Sequence, residues 1–202
     1  MAAVRRPRLA AEERRALLLD TACQVFSRGS YRGVTTAEIA REAGITEPVL
    51  YRHFASKRDL YFACIDEAWR QVRSVWDCAL EEGASSSGDW IGTIQRAMHD
   101  AKEQRILLAS LWVQALAEAN EDPEIRRFLR RHLREVHDSL VTGIRQAQDA
   151  GLIHADRDPV AEAWLIVGSA ILGTIWQRLG VMSDDDVARI KAARRAWLSS
   201  DA

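Results

Sequence analysis

Residues 35 to 57 constrain the fold more than any other part of the chain. Thr35 is a predicted helix N-cap, and Glu38, three residues later, completes the pattern of a capping box. Gly44 is predicted to end this helix, because glycine readily adopts a positive φ. Pro48 then lies in the first turn of a second helix, where a missing N–H costs nothing. Two short helices joined by a tight turn form the helix-turn-helix arrangement, whose second helix enters the DNA major groove.

The apolar residues of this stretch predict which sides of the two helices are buried. Ile39 and Ala40 give the first helix a small apolar face, and Leu50 and Phe54 do the same for the second. Thr46 is the predicted N-cap of the second helix. Five residues remain for its other faces: Glu47, Val49, Tyr51, Arg52 and His53.

Several short motifs lie at characteristic distances from one another between about residues 12 and 62. They are Thr35-Thr36, Ile39-Ala40, Ala43-Gly44-Ile45, Leu50-Tyr51-Arg52-His53-Phe54 and Lys57. This set resembles the N-terminal DNA-binding region of TetR-family transcriptional regulators. The remaining two thirds of the chain is similar to that family only in type, as a helical segment of suitable length.

The resemblance implies a contact with double-stranded DNA for each matching residue. Four would contact phosphates: Thr36, Tyr51, His53 and Lys57. Four would face base edges: Glu47, Pro48, Val49 and Arg52. Hydroxyl, imidazole and ammonium groups are suitable phosphate donors. An arginine can read guanine through O6 and N7, and a valine can pack on a thymine methyl group.

Two of these positions have a second interpretation. Glu47 either accepts a hydrogen bond from cytosine N4 or only places a favourable charge in the first turn of its helix. Tyr51 is also a candidate packing residue.

The net charge near zero conceals an asymmetry. Residues 1–60 hold 11 Lys or Arg against 7 Asp or Glu, a net charge of +4, while residues 61–202 hold 17 against 22, a net charge of −5. A basic N-terminal part suits a nucleic-acid reader, although a chance distribution of surface charge would also produce it. Residues 1–10 are predicted to form a flexible basic arm, which either follows DNA or is a solvated tail.

The cysteines and the apolar segments predict a cytoplasmic protein with no membrane partner. Cys23, Cys64 and Cys78 form no close pairs and are expected to be buried or half-buried free thiols in a reducing compartment. The N-terminus has no apolar signal core. Val160 to Leu179 is the most apolar stretch, and we interpret it as a buried helix.

The whole pattern predicts an all-α fold of about nine helices. Residues 1–55 are the predicted helix-turn-helix domain, and residues 56–202 the predicted ligand-binding and dimerisation domain. Outside residues 35–55, helices are expected at 11–28, 57–82 with Gly83 as C-cap, 90–101, 103–119, 123–150, 159–179 and from 183 onward.

Apolar stripes predict the core. In residues 11–28 the stripe is Leu18, Ala22, Val25 and Phe26, and in residues 123–150 it is Ile125, Leu129, Leu133 or His132, Val136, Leu140, Ile144 and Ala147. Residues 103–119 carry a broad apolar face that is expected to be largely buried. The arginines between residues 126 and 134 are interpreted as a solvated face in preference to a second nucleic-acid surface.

The sequence contains no catalytic or metal-binding constellation. No His-x-x-x-His pair, cysteine pair at ligand spacing, glycine-rich phosphate loop or nucleophile elbow is present. We therefore expect no catalytic residues, no metal and no cofactor.

Seven tryptophans suggest a site for a small apolar or aromatic effector. In TetR-like proteins the corresponding helices surround a ligand cavity. The pocket candidates are Trp69, Trp76, Met98, Trp112 and His132. A purely structural core role is the alternative for each of them.

These observations lead to one functional hypothesis: a ligand-responsive homodimeric repressor that binds a palindromic operator. The dimer-interface candidates on the last two helices are Trp164, Ile171, Ile175 and Trp197. One alternative is a DNA-binding regulator whose C-terminal part binds a protein. Another is an all-helical enzyme that has kept a helix-turn-helix as scaffold.

Overall fold

The structure, a computed structural model, describes residues 11–85, 96–97 and 100–198. These residues form eight helices and no strand, which confirms the all-α prediction. The helices are α1 (Ala11–Arg28), α2 (Thr36–Glu42), α3 (Glu47–Leu50), α4 (Lys57–Ser85), α5 (Lys102–Glu118), α6 (Pro123–Asp149), α7 (Pro159–Leu179) and α8 (Asp184–Leu198). Trp90, Ile94 and Met98 of the helix predicted at 90–101 lie outside the described residues.

The chain divides into two compact units, Met1–Glu67 and Ala68–Ala202. The division falls inside α4, so this helix contributes residues to both units. The sequence placed the domain boundary after residue 55. That residues 1–55 act as the DNA-binding domain stays a prediction.

The first unit is built on the apolar stripe of α1. All four predicted residues of the stripe are buried, which confirms it. The Phe26 ring packs edge-on against Tyr61, with 4.9 Å between ring centroids. Cys23 and Cys64 are buried free thiols in the same core, whereas Cys78 is exposed, so the prediction for Cys78 was wrong. Burial and the neighbouring Cys23 raise the pKa of the Cys64 thiol well above its usual value, which disfavours the reactive thiolate form.

Local capping bonds define the start of α4, but its predicted end was wrong. The Ser56 hydroxyl accepts a hydrogen bond from the Asp59 N–H at 3.0 Å, and the Asp59 carboxylate accepts one from the Ala55 N–H at 3.0 Å. The helix continues through Gly83 to Ser85. A glycine inside a helix costs only about 1 kcal/mol, which is too little to end a helix that is otherwise supported.

In the second unit, α5, α6 and α7 pack against one another. The α6 stripe is buried as predicted, and His132 takes the inward position, leaving Leu133 only half-buried. Asp122 caps α6 by accepting from the N–H groups of Glu124 at 2.8 Å and Ile125 at 3.2 Å. The five arginines between residues 126 and 134 are exposed, as expected for a solvated face.

Two predictions of burial fail on this unit. On α5, Ile106 and Leu116 are exposed, so the apolar face is narrower than expected. On α7, only Glu162, Ala163, Val167 and Thr174 are buried. The helix is long and apolar enough to cross a membrane by length and composition alone, a test that core helices of soluble proteins also pass. Within a single chain, the interpretation of α7 as a buried helix was therefore wrong.

A polar cluster joins α7 to α8. The buried Glu162 carboxylate pairs with Arg194 and accepts a hydrogen bond from Trp197 Nε1 at 2.8 Å. The guanidinium of Arg157 lies 3.6 Å from the centroid of the Trp197 ring. These contacts hold the Trp197 side chain of α8 against Glu162 of α7 and Arg157.

Candidate nucleic-acid interface

The turn between α2 and α3 has the geometry that the sequence predicted. The Thr35 hydroxyl accepts from the Glu38 N–H at 3.1 Å, which caps α2. Gly44 has a φ of +68°, and the Ile45 N–H bonds to the Ala40 carbonyl at 2.9 Å to close the turn. At the start of α3, Thr46 occupies the N-cap position but its side chain makes no capping hydrogen bond, which corrects the prediction for that residue.

Helix α3 is short and is followed by a tight turn. Helical backbone bonds continue beyond it, from the Tyr51 N–H to the Glu47 carbonyl and from the Phe54 N–H to the Leu50 carbonyl. Leu50 and Phe54 are buried, as predicted. The other side chains are therefore held on a helical framework whose apolar side is anchored in the unit's core.

The predicted DNA-contact residues differ in their exposure. Pro48, Tyr51 and Arg52 are exposed, and Glu47, Val49, His53 and Lys57 are half-buried. Thr36 is buried, with 8% of its surface exposed. Their contacts with DNA stay predictions.

Three of these residues form a hydrogen-bonded network between α2 and α3. The Thr36 hydroxyl donates to the Glu47 carboxylate, and the Tyr51 hydroxyl lies 3.1 Å from the same Thr36 oxygen. The sequence predicted separate roles for the three and missed this network. Thr36 and Glu47 are 11 residues apart, so no helical spacing connects them, and the contact depends on how the two helices pack.

Lys57 is held at the first turn of α4. Its ammonium group lies 4.8 Å from the centroid of the Tyr31 ring and donates to the Arg32 carbonyl at 3.4 Å. A cation–π contact of this kind limits where the charge can move. The positive charge of Lys57 is therefore held in place at the start of α4.

The pocket candidates of the second unit fall into two groups. Trp112 and His132 are buried, Trp69 and Trp76 are half-buried, and Met98 lies outside the described residues. The His132 ring stacks on Phe128 with centroids 5.6 Å apart and meets Trp112 edge-on at 6.0 Å. The Trp112 indole N–H is buried and makes no hydrogen bond to the residues that the structure describes. A buried donor of this kind favours a hydrogen-bond acceptor beside it.

The dimer candidates lie on α7 and α8. Trp164 and Trp197 are exposed, and Ile171 and Ile175 are half-buried. Trp164 also stacks on His137 with ring centroids 4.3 Å apart. Among the described residues no group of three or more His, Cys, Asp or Glu side chains is arranged to hold a metal ion.

Comparisons with known proteins identify the family. Residues 18–64 match the family model described as bacterial regulatory proteins of the tetR family, and residues 88–200 match the C-terminal model of BetI-type transcriptional repressors. The HTH-type transcriptional regulator BetI of Rhizobium meliloti is 27% identical over 132 residues. That alignment covers 65% of this chain and 64% of the relative, so it spans less than two thirds of the relative's length.

Solved structures share the fold. A TetR-family regulator from Rhodococcus sp. has a TM-score of 0.75 and 21% identity, over 93% of this chain and 100% of that one. A transcriptional regulator from Saccharomonospora viridis, solved in complex with choline, has a TM-score of 0.60 and 22% identity, over 90% of this chain and 93% of that one. With both family models matched in chain order, this protein belongs to the TetR family, whose members are transcriptional regulators and not enzymes.

Proposed function

We propose that this protein is a cytoplasmic, homodimeric repressor that binds a palindromic operator and leaves it when a small effector binds. The repressor assignment draws support from the match of residues 88–200 to the BetI-type repressor model. The exposed apolar face of α7 carries the proposal of a dimer.

The DNA-binding part of the proposal rests on the donors around α3. Arg52 is exposed and can reach base edges, while His53 and Lys57 offer donors and charge to phosphates. A single helix-turn-helix contacts few base pairs. Two copies related by a two-fold axis would read two half-sites and so reach useful selectivity.

The dimer would form on the apolar face of α7, because the described residues of the chain leave most of that face exposed. Its exposed large side chains are Val160, Trp164, Leu165, Leu172, Trp176 and Leu179. Contiguous apolar patches on soluble proteins usually mark interfaces. Gly168 and Gly173 add to the argument, since no side-chain atom of the described residues lies within 4 Å of the position that a Cβ atom would occupy at either. A second copy of α7 could therefore approach closely there.

The effector site would include the cluster of Trp112, Phe128 and His132 between α5 and α6. Aromatic rings recognise quaternary ammonium ligands through their π faces. The buried Trp112 N–H also needs a hydrogen-bond acceptor, and a hydroxyl group on the ligand would supply one. Choline, found in the Saccharomonospora viridis structure, combines both features and is the first effector to test.

A titration of the full-length protein against fluorescent duplexes tests the proposal. Duplexes would be selected from a randomised pool, and binding would be followed by anisotropy with and without choline. We expect a palindromic motif, binding that weakens steeply with salt, and release by the effector. The absence of any enriched motif at micromolar protein would contradict the DNA-binding part, and unchanged affinity with choline would contradict choline as effector.

A regulator whose C-terminal part binds another protein is the second candidate. The observation that favours it is the same uncovered face of α7, since a different protein could cover it. Light scattering separates the two, because a monomer at micromolar concentration would contradict the homodimer and favour this alternative.

A further inference from the structure

The network of Thr36, Glu47 and Tyr51 determines which of its atoms carry protons. A carboxylate only accepts hydrogen bonds, and a threonine hydroxyl has one proton. Because the Thr36 hydroxyl bonds to the Glu47 carboxylate, its proton points to Glu47. The Tyr51 hydroxyl, 3.1 Å from the same Thr36 oxygen, must therefore donate its own proton to Thr36. The Tyr51 oxygen is left with lone pairs, on a side chain that is 46% exposed.

This arrangement makes Tyr51 an acceptor toward DNA. Phosphate oxygens also only accept, so a phosphate contact would require Tyr51 to withdraw its proton from Thr36. Thr36 is buried, and its oxygen would then lose a partner without gaining water, at a cost of about 1–3 kcal/mol. In the major groove, by contrast, adenine N6 and cytosine N4 are donors. A bond from either amino group adds to the network and breaks nothing.

The charge and position of Glu47 favour the same outcome. Glu47 is the first residue of α3, and Tyr51 follows four residues later, so both lie on one side of the helix. A carboxylate beside the Tyr51 oxygen repels phosphate and attracts an amino group.

On these grounds, and resting on the proposed sequence-specific DNA binding, we propose that Tyr51 reads a base: its hydroxyl oxygen accepts a hydrogen bond from the exocyclic amino group of adenine or cytosine. Thr36 and Glu47 act as positioning residues that hold the tyrosine proton inward. This role replaces the phosphate contact that the family resemblance implies for Tyr51.

Selection from randomised duplexes, with the full-length protein and its variants, tests the proposal. The wild type should enrich adenine or cytosine at one position of each half-site. Tyr51→Phe should lose that preference and bind the selected site about three- to tenfold more weakly, the effect of one hydrogen bond. Thr36→Val should also relax the preference, because it frees the tyrosine proton. Thr142→Val, on α6, is the matched control for Thr36→Val and should keep the wild-type motif.

A second measurement uses the wild-type protein and does not depend on a variant's folding. The selected base is replaced by its analogue without the amino group, purine for adenine or 2-pyrimidinone for cytosine. The wild type should lose about three- to tenfold in affinity beyond the loss measured with Tyr51→Phe. The comparison cancels the weaker base pairing of the analogue, which affects both proteins alike.

Two results would overturn the inference alone. One is a Tyr51→Phe variant that binds every duplex more weakly by the same factor with an unchanged motif, which indicates a phosphate contact. The other is an equal loss for both proteins on the analogue duplex. If the wild type enriches no motif, the proposed function fails and the inference fails with it.

Discussion

Glu162 is the only buried carboxylate among the residues that the structure describes. Its charge is balanced by Arg194 and its second oxygen accepts from the Trp197 indole. Burying a charge is unfavourable unless it is paired and hydrogen-bonded, so these contacts of Glu162 with α8 should contribute to stability.

Glu162→Gln should lower the free energy of unfolding by about 2–4 kcal/mol, because it leaves the Arg194 charge without its partner. Urea unfolding followed by circular dichroism measures this. Asp185→Asn is the control, since it removes a carboxylate from an exposed ion pair. That pair joins Asp185 to Arg189, and both residues lie on α8. Equal effects of the two substitutions would show that burial of the Glu162 pair is unimportant.

Substitutions at Arg52 and Lys57 should affect DNA binding in different ways, because one residue is predicted to read a base and the other to bind a phosphate. Arg52→Ala should cost about 1–3 kcal/mol on the selected operator and relax the preference at one base pair. Lys57→Ala should weaken binding to all sequences evenly and reduce the salt slope by about one.

Anisotropy titrations at several salt concentrations measure both effects. Arg130→Ala, which removes an exposed arginine on α6, serves as the charge control. A uniform loss for Arg52→Ala, without a change in preference, would contradict its role as a base reader.

At the scale of elements, the helices begin where local side-chain bonds replace missing backbone bonds. Asp122 and Asp158 each precede a proline. Asp122 accepts hydrogen bonds from two N–H groups in the first turn of its helix, and Asp158 accepts one. Such caps join residues that are at most three positions apart in the sequence. Their formation therefore does not depend on how the rest of the chain folds.

Asp122→Ala should lower the free energy of unfolding by about 1 kcal/mol, because two N–H groups of α6 lose their acceptor. Asp149→Ala, at the opposite end of the same helix, should leave stability unchanged or raise it slightly, since a negative charge there opposes the helix dipole. Urea unfolding measures the free energy of unfolding of both variants. A larger loss of stability for Asp149→Ala than for Asp122→Ala would contradict the cap assignment.

The capping box of α8 should respond to pH. Hydrogen bonds from the Ser183 hydroxyl and N–H lower the pKa of Asp186 below its ordinary value. The capping contribution is therefore present above the ordinary aspartate pKa and is lost as the pH falls below about 4. Ser183→Ala should return the pKa of Asp186 toward its ordinary value. An NMR titration of the carboxyl carbon measures this, and an unchanged pKa would contradict the assignment.

At the scale of the whole molecule, the unusual feature is the apolar surface that α7 leaves uncovered. Leu172 is 46% exposed on that face, while Leu116 on α5 is exposed to a similar extent, at 40%. The two leucines form a matched pair for testing where subunits meet.

Leu172→Glu should convert the proposed dimer into monomers, because a carboxylate in an apolar interface has no partner. Leu116→Glu should leave the dimer intact. Sedimentation velocity at micromolar concentration measures the masses, and circular dichroism checks that both variants keep their helices. Dimers of Leu172→Glu with wild-type affinity would place the interface elsewhere.

The sequence determined the helices and the helix-turn-helix of this protein, because caps, turn glycines and apolar spacing act through bonds between residues close in the chain. Thr35, Asp122 and Gly44 behave as their local patterns predict. Gly83 does not end its helix, and the Thr46 side chain does not cap α3. In both cases the weak preference of one residue is overridden by the backbone structure on either side of it. Only the tertiary structure decided the partners of Glu47 and Glu162 and the exposure of α7. Each depends on how separate helices pack, and residue spacing within one helix contains no information about that packing.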